Sequence, residues 1–260
     1  MQLVLVLIMG VFIGGAAGYL GTLMLSQRMA LVAGPLGHLT LPGIALALSF
    51  GFDVSLGAFP FVVLGVILIW LFEMTTRLPM EALTAIVFAS GVAITFLFLP
   101  EEQTVPALIG ELSQISLSVT IITLILCLIL ISTTRMIYSR MVLVSISEDL
   151  AKVEGIDVKK YNFIYLVCIA FMVALGVRIV GSLMTAALVA IPACTSRNLS
   201  KNLTQYSYRG LLSGSLACSL GILGSNFVGI PVGPLIIITS TSLFLISLIF
   251  KRQKHSTRTW

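Results

Sequence analysis

Charge is what this chain most lacks. Of its 260 residues only 10% are Asp, Glu, Lys or Arg, 58% are hydrophobic, and the mean hydropathy is +1.11. Soluble domains carry about 25% charged residues, which excludes a soluble enzyme, a disordered chain and a nucleic-acid binder as whole-chain readings. The GxxxxGK[ST] loop that cradles nucleotide phosphates is missing, so any ATP hydrolysis belongs to another chain. HExxH, paired carboxylates within the apolar stretches and a Ser/His/Asp set are missing too, and the chain reads as a non-enzyme with no permanently bound cofactor. Cys127, Cys168, Cys194 and Cys218 form no CxxC pair and read as small buried hydrophobes.

What remains is long apolar runs. Charge-free stretches cover 1–27, 29–52, 54–72, 82–100, 112–134, 161–177, 179–196 and 210–250. A spanning helix needs roughly 17–25 apolar residues, so seven runs fit one crossing and the last fits two. The sequence predicts an all-α polytopic membrane protein of nine (eight to nine) transmembrane helices, with a membrane domain over 1–250 and a basic tail over 251–260.

The basic residues set the orientation. With nine alternating spans and the N-terminus outside, 14 of the 15 Lys and Arg fall on the cytoplasmic side and only Arg178 outside. The positive-inside rule demands this arrangement, and it makes the C-terminus cytoplasmic. Glu101, Glu102 and Glu111 then lie outside. Residues 1–27 lack a basic n-region and read as a retained helix rather than a signal peptide. Its Gly10, Gly14, Gly15, Gly18 and Gly21 are spaced for close helix packing in lipid.

Two stretches look interrupted. Residues 29–52 hold Gly34, Pro35, Gly37, Pro42 and Gly43, and residues 221–234 hold four Gly and two Pro. Broken helices at membrane depth line cavities or substrate routes, although Gly and Pro also serve packing. His38 is the one histidine in the apolar part. It reads either as a metal ligand or as a neutral imidazole bonded to a backbone carbonyl freed by its Gly and Pro neighbours. Arg178 reads as a snorkelling interfacial anchor, with a gate or docking contact as the alternative. Glu73, Arg77 and Glu81, four apart, read as a solvated face.

The cytoplasmic loop of about 134–160 contains LVSISEDLAKVEGIDVKK. Ser147 is a fitting N-cap, Leu150 and Val153 an apolar stripe, and Gly155 a C-terminal stop. They predict a short amphipathic helix of about two turns, which must pack on something to persist.

Four segments in order resemble the membrane permease subunit of bacterial ABC importers for zinc, manganese or iron. They are Arg28–Leu48 (RMALVAGPLGHLTLPGIALAL), Glu81–Ile94, Ile146–Ile156 (ISEDLAKVEGI) and Val177–Ser196 (VRIVGSLMTAALVAIPACTS), with Ile230–Pro234 (IPVGP) following. The resemblance covers nearly the whole chain. It implies the bacterial plasma membrane, a second permease chain (a homodimer), a cytoplasmic ATP-binding subunit and an extracytoplasmic solute-binding protein. It makes Ser147, Glu148, Asp149, Leu150, Ala151 and Gly155 the coupling helix that docks on the ATPase. It places pathway hinges at Pro42, Gly43, Gly181, Pro192, Pro231 and Gly233.

The departures from the family pattern matter as well. Its acidic position four before the histidine is Gly34 here, its serine is Gly37, and a second acidic position is Gly229, while His38 is kept. The expected cargo is a divalent metal, zinc or manganese first and iron next, and loss of carboxylates moves the site away from Mn²⁺. A chelated or non-metal cargo is the alternative within the same architecture. An ATPase-independent secondary transporter is a third reading, opposed by the want of an intramembrane carboxylate for a proton or sodium relay.

Overall fold

The structure is a computed structural model describing residues 2–29, 32–52, 54–76, 78–98 and 116–255. Ten helices and no strand occur among these residues. They are α1 (Gln2–Ser26), α2 (Ala33–His38), α3 (Leu41–Phe50), α4 (Val54–Thr76), α5 (Met80–Phe98), α6 (Leu117–Ile146), α7 (Glu148–Val153), α8 (Val158–Leu199), α9 (Leu203–Val228) and α10 (Val232–His255). Glu101, Glu102 and Glu111 lie outside the described residues, as does Arg77.

Among the described residues six helices are long and apolar enough to cross a membrane, α1, α4, α6, α8, α9 and α10. Two of the apolar regions are not single straight helices. The stretch 29–52 is divided, because Pro42 has no N–H to offer the carbonyl of His38, and α2 ends there. The stretch 82–100 falls largely in α5, a helix of 19 residues. The stretches 161–177 and 179–196 form one run of 42 residues, roughly 63 Å of helix at 1.5 Å per residue, twice the hydrocarbon thickness.

That run is not straight. Gly181 has φ 79° and ψ 170°, a conformation essentially restricted to glycine. A Cβ on Gly176 would lie 3.2 Å from Thr185 Cγ2 and 3.4 Å from Leu188 Cδ2. On a straight helix those residues stand about 14 and 18 Å further along the axis. The chain therefore doubles back at Gly181, and α8 consists of two packed limbs. This buried hairpin is the centre of the bundle, with α1, α2, α4, α6, α9 and α10 against it.

Lipid supplies no hydrophobic drive between helices, so close van der Waals contact must hold them together. The glycine face of α1 does this against α9. A Cβ on Gly18 would lie 2.8 Å from the carbonyl carbon of Gly210, and one on Gly214 would lie 2.8 Å from that of Gly14. Ser215 Oγ donates to the carbonyl of Val11 at 2.9 Å across the same seam. Nearby, Tyr138 Oη of α6 donates to Thr22 Oγ1 at 3.0 Å, and Thr22 donates to the carbonyl of Tyr19 at 2.7 Å. Each hydroxyl thus has a partner away from water.

The 221–234 stretch is a junction between helices rather than a break within one. Gly229, in the left-handed region at φ 72°, ends α9, and its N–H donates to Ser225 at 2.9 Å. Ser225 Oγ donates to the carbonyl of Ile230 at 2.6 Å. Pro231 follows in the link, and Gly233 is buried in the first turn of α10. The last helix continues to His255, and its apolar part ends at Phe250.

Candidate functional site

The divided stretch and the hairpin meet. Helix α2 packs on the second limb of α8, and glycines set the distance. A Cβ on Gly37 would lie 2.7 Å from the carbonyl oxygen of Ser182, and one on Gly34 would lie 3.3 Å from Ala186 Cβ. Two of the three positions at which this chain departs from the resembling pattern are thus close contacts of α2 with α8. Thr40 Oγ1 donates back to the carbonyl of Gly37 at 2.5 Å, and Thr185 Oγ1 to that of Gly181 at 2.7 Å. Both hydroxyls help close the irregular turns they follow.

His38 ends α2 half-buried, its ring 5.5 Å from that of Phe88 on α5. Among the described residues no group of three or more His, Cys, Asp or Glu is placed to hold a metal ion. Gly229, the other former acidic position, is an exposed helix terminus with open space around it. Leu39, next to His38, is wedged between α4 and α5, where a Cβ on Gly65 would lie 2.6 Å from its Cδ1.

The sites expected to bend behave differently from one another. Gly181 is a break. Pro42 sits in the first turn of α3, where proline suits a helix start. Gly43 is a contact point, as a Cβ there would lie 2.6 Å from the carbonyl carbon of Gly57. Pro192 lies inside α8, and Ser213 Oγ of α9 donates to its carbonyl at 3.0 Å. Sequence reasoning missed Ser182, Thr185, Ala186 and Phe88. For Ser182, Thr185 and Ala186 a signal was available in part, as small residues just after the glycine read as a hinge; for Phe88 there was none.

Arg178 lies three residues before the Gly181 break. It is half-buried and lines an otherwise largely apolar cavity of about 310 Å³ between α4, α6 and α8, beside Phe59, Leu126 and Phe171. Phe59 and Phe171 pack with ring centroids 4.8 Å apart. Glu73 accepts from Asn162 Nδ2 at 3.5 Å and so faces α8 rather than solvent alone.

On the loop, α7 forms where the capping signals place it. Ser147 accepts from the N–H of Leu150 at 3.2 Å. At the other end Gly155, at φ 76°, donates to Lys152 at 3.0 Å, and Ile156 donates to Ala151 at 3.0 Å. This pair of bonds is a Schellman closure. Ala151 is fully buried, while Leu150 is 48% and Val153 84% exposed. Lys152 Nζ stands 2.9 Å from Glu148 Oε1, and this contact raises the lysine pKa above its ordinary value. An exposed i,i+4 pair of this kind contributes little stability. At the base of the loop, the Arg140 guanidinium donates to the Tyr161 hydroxyl and lies 5.2 Å from the ring centroid, tying α6 to α8. The result is a short, rigidly closed helix presenting an apolar edge.

A multi-pass helical membrane protein with a central hairpin and one short capped loop helix is a transporter-like architecture, and comparison defines it further. The ABC 3 transport family matches residues 1–251, and the chain belongs to it. The high-affinity zinc uptake system membrane protein ZnuB of Haemophilus influenzae is 27% identical over 254 residues, covering 95% of this chain and 97% of that protein. The manganese import system permease protein ScaB of Streptococcus parasanguinis is 26% identical over 267 residues, covering 96% and 92%. Among solved structures, PsaBC from Streptococcus pneumoniae in complex with Fab superposes with a TM-score of 0.79 at 23% identity, covering 93% of this chain and 89% of that one.

Proposed function

We propose that this chain is the permease subunit of an ATP-driven importer of divalent metal ions, zinc or manganese first and iron next. The observation that carries the proposal is whole-length similarity to zinc and manganese permeases, and His38, next in sequence to the Gly37 contact with α8, supports it. The route runs along the α2–α8 contact, with Gly181 as the pivot. A separate cytoplasmic ATPase docks on α7 through Leu150 and Val153, a solute-binding protein delivers the ion, and a second permease chain completes the pathway. The chain itself catalyses nothing, and the metal is cargo. The C-terminus lies in the cytoplasm of a bacterial cell.

A second reading keeps the architecture and changes the cargo to a chelated or non-metal solute. The want of any carboxylate at positions 34 and 229 favours it, because a bare Mn²⁺ prefers oxygen ligands of that kind. The test is reconstitution of the chain with the ATPase and binding protein from adjacent reading frames, followed by ATP-dependent uptake of Zn²⁺, Mn²⁺ and Fe²⁺ separately. Uptake of one ion, lost in His38→Ala, supports the first reading. An ATPase that copurifies and hydrolyses ATP while no ion moves supports the second.

A further inference from the structure

A second cavity lies away from the α2–α8 contact, in a groove of about 770 Å³ between the second limb of α8, α9 and α10. Its two ends differ chemically. One end carries Lys201 and the half-buried Arg209, with Ser213 beside them. Leu212, Leu216, Leu243, Ile246 and Phe250 line the rest, and Leu212, Leu216, Ile246 and Phe250 are each at least half exposed. Arg209 to Leu216 on α9, and Phe250 to Leu243 on α10, each span about 10 Å at 1.5 Å per residue. The apolar trough therefore runs about 10 Å inward from its cationic end.

Among the described residues neither Lys201 nor Arg209 forms a salt bridge with a carboxylate, whereas Lys152 pairs with Glu148 and Asp149. Arg209 donates through one guanidinium nitrogen to the carbonyl of Leu199, which fixes the group at the groove mouth and leaves its other donors. Asn198 Nδ2 donates to Ser247 Oγ at 3.0 Å and joins α8 to α10 beside the groove, which fixes the spacing of these two walls. In the sequence, Phe250 is followed at once by Lys251, Arg252 and Lys254, so positive charge accumulates at this end of α10.

We propose that this groove is a binding site for one anionic phospholipid, its phosphate on Lys201 and Arg209 and an acyl chain along Leu212, Leu216, Leu243 and Ile246. A cationic end joined to an apolar trough within a membrane complements an anionic amphiphile, and basic pockets between transmembrane helices recognise such headgroups. A zwitterionic lipid offers the same chains without the net charge and should be held more weakly. The bound lipid would brace α10 against the returning limb of α8.

The test is native mass spectrometry of the full chain, purified from nanodiscs of phosphatidylcholine containing 30% phosphatidylglycerol. The expected result is one phosphatidylglycerol retained per chain, in at least tenfold preference over phosphatidylcholine. Lys201→Gln with Arg209→Gln should abolish the preference. Leu216→Trp, which fills the trough and keeps both charges, should abolish retention. Inorganic phosphate at millimolar concentration should not displace the lipid. Equal retention of the two lipids by the native chain would overturn the proposal, as would undiminished preference in a double variant that elutes as native. Efficient disulfide formation between two chains carrying Ile246→Cys would also overturn it, by showing a second copy on the groove. None of these outcomes depends on which solute is carried.

Discussion

The β-carbon that Gly37 lacks would lie 2.7 Å from the carbonyl oxygen of Ser182. Backbone meets backbone at this contact, so neither partner can yield by changing a rotamer. Gly37→Ala should push α2 away from the α8 hairpin and cost about 1–3 kcal/mol, the usual range for overpacking. Thermal unfolding in detergent would check this, and an unchanged midpoint would show that α2 floats.

Gly34 faces a side chain rather than backbone, so its contact can be relieved. Gly34→Asp restores a carboxylate four residues before His38, but its Cβ would crowd Ala186 Cβ at 3.3 Å. Combined with Ala186→Gly, it should raise Mn²⁺ uptake relative to Zn²⁺ several-fold, because an oxygen ligand favours the harder ion. Ratios of accumulated metal in cells expressing each variant would decide it.

Gly181→Ala tests the hairpin. At φ 79° and ψ 170° any side chain is strained by about 1–3 kcal/mol. The variant should lower the unfolding midpoint and reduce uptake together. If uptake fell at unchanged stability, the residue would act as a moving pivot rather than a fixed corner.

Val153→Glu tests the loop helix. Val153 is 84% exposed and its backbone contacts are local, so the fold should survive. Copurification of the ATPase should drop at least tenfold. Ser147→Ala, which removes the cap, should weaken docking less, at about 1 kcal/mol of helix stability.

Much of this organisation was legible beforehand. The α7 limits follow from Ser147 and Gly155, because caps are local chemistry that a sequence states outright. The small-residue face of α1 identified itself by spacing. The interior of the 29–52 stretch was less legible, because charge-free length does not reveal where a proline divides a run; the division near Arg178 could be read from charge, and the turn itself falls at Gly181. The tight contacts of Gly34 and Gly37 were also hidden. Their neighbours Ser182 and Ala186 lie almost 150 residues away, and only the folded bundle brings them together.

The seam between α1 and α9 has a consequence for biosynthesis. Gly14 and Gly18 meet Gly214 and Gly210, synthesised about 190–200 residues later. At about 5–20 residues per second, the first helix waits roughly 10–40 s in the bilayer with its small-residue face unsatisfied. Ribosomes that stall before α9 therefore leave a nascent protein whose earliest segment has no mate, an address that membrane quality control can read.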